Sequence, residues 1–142
     1  MRENLKVTFF GHRDATGDTL KKELACCIEQ LIFLGATEFY LGGRGYFDLM
    51  AANVLRSFKP AYPDIRITLV TSDINESFDS NIYDDSIYPP LENVPSKFAI
   101  PRRNKWMVEY SDVIIGFVRR NYGGAFSAIQ YAKRKKKSII FL

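Results

Sequence analysis

Three short clusters rich in glycine give this chain the composition of an anion-binding site. Glycine lets backbone N–H groups approach the oxygens of a phosphate with no Cβ in the way, and arginine adds charge-assisted hydrogen bonds to the same oxygens. The chemistry that these residue types favour is therefore the binding of a phosphate-bearing ligand. The clusters are Gly11-His12-Arg13, Gly42-Gly43-Arg44-Gly45 and Asn121-Tyr122-Gly123-Gly124.

Four single residues in or near these clusters are candidate ligand contacts. Arg103 and Asn104 are costly residues to bury, and we predict that they contact a phosphate or a base. His12 is the only histidine of the chain, and its place between Gly11 and Arg13 favours ligand contact over the role of an ordinary loop histidine. Asp48 falls in the first turn of a predicted helix, where it either complements the helix dipole or contacts a ribose hydroxyl.

Motifs for catalysis and for metal binding are largely missing from the sequence. The chain lacks the phosphate-binding lysine motif, and its first cluster offers no second glycine before Gly17, as a dinucleotide fingerprint requires. One histidine and the adjacent Cys26 and Cys27 do not make a zinc site, so we predict neither a metal nor a cofactor. Asp48 and Glu109 are the candidates for a catalytic carboxylate, and the sequence leaves open whether the protein is an enzyme.

Short apolar runs that alternate with helical patterns predict the elements that position the clusters. Such runs are typical of strands buried on both faces, and their alternation with helices predicts an α/β domain with a mostly parallel sheet. We predict a Rossmann-like, three-layer domain whose five strands have the order 3-2-1-4-5. Each cluster follows the end of a predicted strand, so all three should meet at the C-terminal edge of the sheet. The predicted strands are 5–10, 37–41, 65–70, 113–118 and 138–142.

Length and composition indicate a single domain over residues 1–142. The chain is 46% hydrophobic and 25% charged, which suits one core and leaves little room for a second. Residues 72–100 break the alternation of strands and helices, since they are acidic, contain three prolines and show no clear periodicity. We interpret this segment either as a cover over one end of the sheet or as a solvated insertion.

Charge and hydropathy bear on partners and location. The net charge is +4, but five bases lie in the run Lys133 to Lys137, and the rest of the chain sums to −1. This weakens a nucleic-acid argument from overall charge and favours contact between the run and the negative end of a helix dipole. The longest strongly apolar run, 113–118, is far shorter than the roughly 20 residues of a membrane-spanning helix. With no visible secretory leader and with adjacent cysteines typical of a reducing compartment, we predict a cytoplasmic protein without a membrane partner.

The order and spacing of the motifs resemble the YpsA-like branch of the SLOG superfamily along nearly the whole chain. Residues 72–100 are the part that matches least. The motifs that carry the resemblance are Gly11-His12-Arg13, Gly42-Gly43-x-Gly45-x-x-Asp48, Arg103-Asn104-x-Trp106-Met107 and Tyr122-Gly123-Gly124-Ala125.

This resemblance implies a Rossmann-like domain that binds a nucleotide or nucleotide-derived ligand at its glycine-rich edge. The superfamily includes the DNA-processing DprA proteins and the LOG phosphoribohydrolases, and the LOG enzymes carry a Gly-Gly-x-Gly-Thr motif followed by a glutamate. In this chain Gly123-Gly124 continues as Ala125-Phe126-Ser127, without a further glycine, a threonine or a carboxylate. The resemblance therefore implies ligand binding but not phosphoribohydrolase activity.

Our first hypothesis is a regulatory or sensory nucleotide-binding module. In it, backbone amides of the second and third clusters hold phosphate and Arg13 and Arg103 neutralise it. The first alternative is an enzyme that cleaves the N-glycosidic bond of a nucleotide. The second is single-stranded DNA binding in the DprA manner, through the run Lys133 to Lys137 with Arg119 and Arg120. Exposed apolar faces on sheets of this kind also favour a homo-oligomer.

Overall fold

The structure, a computed structural model, describes residues 4–142 and shows a parallel sheet between two layers of helices. Residues 1–3, which belong to the predicted single domain and to the segment where no leader was predicted, lie outside the described residues. The strands are β1 Leu5–Gly11, β2 Ala36–Leu41, β3 Arg66–Val70, β4 Asp85–Ile87, β5 Val113–Phe117 and β6 Ser138–Phe141. The helices are α1 Asp18–Phe33, α2 Gly45–Phe58, α3 Ala99–Glu109 and α4 Gly124–Arg134, with a 3₁₀ turn at Ser96–Phe98.

The sheet confirms the predicted Rossmann-like class and corrects the number of strands. Its order is β4-β3-β2-β1-β5-β6, and every pair of neighbours is parallel. The five predicted strands take the predicted order, but a sixth strand, β4, pairs with β3 at the edge. The count of five was wrong because β4 has only three residues, two of them the polar Asp85 and Ser86, and so shows no strand pattern.

Segment 72–100 is held against the rest of the domain by β4 and by hydrogen bonds to the half-buried Asp84. The carboxylate of Asp84 accepts hydrogen bonds from Lys59 Nζ at 2.9 Å, from Arg56 at 3.1 Å and from the backbone N–H of Ile67 at 2.9 Å. Burial alone would raise the pKa of Asp84, but these three hydrogen bonds outweigh it and hold the pKa below its ordinary value. The acidic segment therefore extends the sheet instead of standing free in solvent.

Both faces of the sheet are covered, which explains the continuous apolar runs of the strands. Phe9 packs in the cluster that includes residues of α1 and α2, whereas the next residue, Phe10, packs in the cluster of α3 and α4. Successive strand residues point to opposite faces, so a strand covered on both sides has no polar face to show. Among residues 4–142 no helix is both long and apolar enough to cross a membrane.

A lysine occupies a left-handed backbone position after α4. Lys136 has φ 58°, and the turn is closed by hydrogen bonds from its N–H to Lys133 O and from Lys137 N–H to Ala132 O, both 3.0 Å. This is the position after a helix where glycine is favoured, because a Cβ is strained there. Lys136→Gly should therefore raise the free energy of unfolding by about 1 kcal/mol, measured by urea denaturation.

The control for this substitution is the preceding residue. Lys135 has φ −84°, where glycine gains nothing and adds flexibility to the unfolded chain, so Lys135→Gly should lower the urea midpoint. A midpoint that falls for both variants would contradict the assignment of the turn.

Candidate functional site

A cavity of about 420 Å³ lies at the C-terminal edge of the sheet, where β1, β2 and β5 end. All three glycine clusters contribute to its walls, as the predicted topology requires. The structure thus brings together most of the predicted site residues, namely Gly11, His12, Arg13, Gly42, Asp48, Arg103, Asn104, Tyr122, Gly123, Gly124 and Ala125.

Three predicted site residues do not line this cavity. Gly43 and Gly45 line a shallow groove beside it, and an alanine Cβ at Gly45 would lie 2.7 Å from the Cα of Arg13. Glu109 lies at the C-terminal end of α3, where its carboxylate accepts a hydrogen bond from the hydroxyl of Tyr131 at 2.8 Å. Of the two candidate catalytic carboxylates, only Asp48 reaches the cavity.

Arg103 is a buried cation in the cavity wall. Its side chain is 3% exposed, and Nη1 donates to the carbonyl oxygens of Gly42 at 3.0 Å and Val70 at 2.9 Å. Its Nε donates to Oδ1 of Asn104 at 2.9 Å. No carboxylate of residues 4–142 forms an ion pair with Arg103. Burial lowers the pKa of Arg103, and the more distant Asp48 offsets this only in part.

Asp48 lies in the first turn of α2, and its carboxylate faces back to the glycine loop before the helix. Its Oδ2 accepts the backbone N–H of Arg44 at 3.3 Å, and the N–H groups of Gly43 and Gly42 also stabilise its carboxylate. Burial has the largest effect and raises the pKa of Asp48 to about 6. The amides and Arg103 lower the pKa, but by less than burial raises it. The amides that the sequence assigns to phosphate binding therefore face a carboxylate of the same chain.

The N-terminus of α4 is open. Gly123 precedes the helix at φ 95°, no side chain caps it, and the first turn's N–H groups, at residues 124–126, find no acceptor among residues 4–142. A Cβ placed on Gly123 would meet no atom within 4 Å, and one on Gly124 would meet only Nδ2 of Asn104, at 4.0 Å. Free N–H groups and the positive end of the dipole face this space, which suits an anion.

His12 connects the end of β1 to the loop before α4. Its Nε2 accepts the backbone N–H of Arg119 at 2.7 Å, and its ring packs edge-on against Phe117 with centroids 6.2 Å apart. Burial lowers the pKa of His12, and the charges of Arg120 and Arg119 lower it further. Asp14 raises this pKa, but its effect is smaller than that of burial or of Arg120. The imidazole is therefore neutral near pH 7, with its proton on Nδ1.

The rim of the cavity is basic. Arg13, Arg44 and Arg120 line it and are exposed, and Arg120 forms an ion pair with Asp14 that joins the loops after β1 and β5. The guanidinium of Arg120 also lies 5.9 Å from the centre of the Tyr122 ring. Three arginines against one carboxylate give the entrance a positive potential.

Comparison with known proteins gives matches in structure and none in sequence. No protein-family model and no curated protein matches the chain. Similar solved structures include DNA processing protein A from Helicobacter pylori, studied for its single-stranded DNA binding mode, with a TM-score of 0.69 and 20% identity over 98% of this chain and 65% of that one. They also include DNA processing protein A from Streptococcus pneumoniae, with a TM-score of 0.66 and 17% identity over 97% of this chain and 50% of that one.

A third similar structure is the molybdenum cofactor binding protein from Rippkaea orientalis, with a TM-score of 0.65 and 19% identity over 99% of this chain and 77% of that one. The chain has the Rossmann-like fold of these three structures. It spans half to two thirds of the two DNA processing proteins, so this fold forms only part of them.

The apolar lining of the cavity was the part of the site that the sequence motifs did not predict. Ile100 and Met107 of α3 and Phe10 of β1 line it, and Met107 is only 1% exposed. An apolar pattern on α3 predicts core packing, and nothing in the pattern separates a core residue from one that also borders a cavity. Asp14 and Arg120 were missed as lining residues too, although Asp14 directly follows the first cluster.

Proposed function

We propose that this protein binds a nucleotide or nucleotide-derived ligand in the cavity at the C-terminal edge of the sheet, as a cytoplasmic module with a regulatory or sensory role. The observation that carries the proposal is Arg103, a guanidinium 3% exposed in the cavity wall with no ion-pair partner among residues 4–142. Burying a charge is costly unless an opposite charge compensates it. An anionic ligand in the cavity supplies that charge.

The rest of the cavity suits the other parts of a nucleotide. A volume of about 420 Å³ is within the range of small-molecule sites, and the apolar side chains of Ile100 and Met107 offer a surface to a base. The open amides at the N-terminus of α4 suit the phosphate. Asp48 offers carboxylate oxygens to a sugar hydroxyl. Single-stranded DNA and a molybdenum cofactor, the ligands named for two structures of this fold, support a ligand-binding role.

The two alternatives have less support. Cleavage of an N-glycosidic bond depends on Asp48 alone, whose oxygens already accept backbone N–H groups. Single-stranded DNA binding was predicted to use the run Lys133 to Lys137 with Arg119 and Arg120, which lie at opposite ends of α4, about 16 Å apart along its axis. Both stay predictions, and we favour ligand binding in the cavity.

Calorimetric titration with a panel of nucleoside mono-, di- and triphosphates and ADP-ribose tests the proposal. Gly124→Asp is the informative variant, because it places a carboxylate in the first turn of α4, where the helix dipole favours it and where the ligand phosphate should lie. We expect a panel member that binds the natural protein to lose at least about 30-fold in affinity, equivalent to about 2 kcal/mol, with no loss of thermal stability.

Gly124→Ala is the matched control. Its Cβ meets only Asn104 Nδ2, at 4.0 Å, so it adds no clash and no charge, and binding should stay within about threefold. No heat from any panel member at millimolar concentration would refute the proposal, and equal binding by the aspartate and alanine variants would move the phosphate away from α4.

A further inference from the structure

Two neutral side chains in the cavity have hydrogen-bond directions that are fixed by other parts of the protein. His12 and Asn104 both line the cavity, and each can act either as a donor or as an acceptor when free. In this structure a second group decides which atom of each is left for a ligand.

In His12 the deciding group is a backbone amide. The N–H of Arg119 can only donate, so the Nε2 atom that lies 2.7 Å from it must be unprotonated. The proton of the neutral ring is then on Nδ1, and Nδ1 has no acceptor among residues 4–142. The residue is 8% exposed and lines the cavity, so the N–H at Nδ1 is a donor open to a ligand atom there.

In Asn104 the deciding group is the guanidinium of Arg103. Arginine nitrogens can only donate, so the atom of Asn104 that lies 2.9 Å from Nε is the oxygen Oδ1. Arg103 cannot rotate away without releasing its bonds to the carbonyl oxygens of Gly42 and Val70. The amide group Nδ2H₂ of Asn104 is therefore left over, and it lies 4.0 Å from the Cβ position of Gly124, beside the open turn of α4.

The anion site at α4 consequently presents a group of donors whose direction is fixed. Backbone N–H groups of the first turn, the amide of Asn104 and the imidazole N–H of His12 face the same cavity. We propose that His12 and Asn104 are specificity-determining residues that select a dianionic terminal phosphate group over a phosphodiester. This inference rests on the proposed function and names the chemical class of the ligand.

The number of acceptor oxygens and the charge both favour a terminal phosphate group over a phosphodiester. A dianionic phosphate monoester has three unsubstituted oxygens that only accept, so each one can meet an N–H. A phosphodiester has two such oxygens and one charge, and its second ester oxygen is a weak acceptor, so one N–H of the site loses a charged partner. A site built to hydrogen-bond a ligand oxygen disfavours the analogue that lacks it.

Methyl phosphate and dimethyl phosphate test this selectivity without a base or sugar. Binding is followed at pH 7.5 through the ¹⁵N–¹H signals of residues 124–126. We expect methyl phosphate to bind at least about 30-fold more tightly than dimethyl phosphate, because one charge-assisted hydrogen bond has an effect of this size. Equal affinity for the two esters, or no shift with either, would overturn the inference.

Asn104→Asp isolates the role of the fixed amide. Aspartate keeps an oxygen for Arg103 Nε but turns the donor toward α4 into an acceptor, so methyl phosphate should bind about 30-fold more weakly, and dimethyl phosphate much less so. Asn53→Asp makes the same charge change on an exposed residue of α2 that does not line the cavity, and it should leave the ratio of the two affinities unchanged.

The outcomes separate this inference from the proposed function. If Asn104→Asp and Asn53→Asp have the same effect, the selectivity comes from general charge and Asn104 has no specific role. Nucleotide binding that is lost in Gly124→Asp would still support the proposed function in that case. Failure of every nucleotide to bind would instead refute both.

Discussion

Replacing Gly45 with alanine should lower the free energy of unfolding by about 3 kcal/mol, because it combines two penalties. Gly45 has φ 88°, which strains any residue with a Cβ. The new Cβ would also lie 2.7 Å from the Cα of Arg13, a backbone atom that cannot turn aside. The N–H of Tyr46 donates to the carbonyl of Arg13 at 2.7 Å, so α2 and the loop after β1 must separate to relieve the contact.

Gly17→Ala is the control that separates the two penalties. Gly17 has φ 121°, yet a Cβ there would meet no atom within 4 Å. We expect it to cost about 1 kcal/mol in urea unfolding, which is the backbone strain alone. If the two variants lose the same stability, the contact between Gly45 and Arg13 contributes nothing. The clash also displaces the loop that carries His12, so Gly45→Ala should weaken ligand binding where Gly17→Ala does not.

The sheet could be read from the sequence because its strands are buried on both faces. Phe9 and Phe10 point to opposite sides and both are buried, so the strand appears as an unbroken apolar run. β4 could not be read in this way. It is an edge strand of three residues, stabilised by pairing with Thr68 to Val70 and by the neighbouring Asp84, and neither interaction leaves a pattern in its own residues.

The cavity could be predicted from topology, but its free donors could not. Parallel strands carry their C-terminal ends to one edge, which is enough to bring Gly11, Gly42 and Gly124 to one cavity. Which amides remain free depends on Asp48, whose carboxylate bonds to an N–H four residues earlier. That contact is local, and a carboxylate in the first turn of a helix was the signal for it.

The role of Arg103 depends on contacts that are distant in sequence. Its partners Gly42 and Val70 lie 61 and 33 residues away, so no local pattern announces that its guanidinium is held in place. The residue types predicted a ligand contact for both Arg103 and Asn104. Only the three-dimensional arrangement shows that the arginine fixes which end of the Asn104 amide is left for a ligand.

Asp48→Asn should change how stability depends on pH by about 2 kcal/mol between pH 4 and pH 7, out of about 3 kcal/mol over the whole titration. The pKa of Asp48 rises from 3.8 to about 6 on folding, and each unit corresponds to about 1.4 kcal/mol. A raised pKa means that the folded state binds the proton more tightly, so the contribution is complete below pH 3.8 and is lost as the pH rises through 6. Asparagine carries no charge at any pH and lacks this loss.

The difference between the two proteins in urea unfolding, measured from pH 4 to pH 7, isolates this contribution because their other titrating groups cancel. Relative to the natural protein, Asp48→Asn should gain stability as the pH rises. Asp84→Asn provides a control of opposite sign, since the pKa of Asp84 is lowered on folding and its stabilising contribution is lost as the pH falls. A flat difference for Asp48→Asn would show that its carboxylate is solvated in the folded state.

The sign of this effect bears on why the cavity keeps Asp48. At pH 7 the ionised carboxylate lowers stability, although it orders the amides of the glycine loop and faces the charge of Arg103. A carboxylate whose pKa is strongly raised by burial beside a cavity is typical of a binding site. We therefore expect the stability of Asp48→Asn, relative to that of the natural protein, to be higher at pH 7 than at pH 4. We also expect this variant to bind a nucleotide with a free ribose more weakly, because the amide oxygen accepts a hydrogen bond from a hydroxyl less strongly than the carboxylate does.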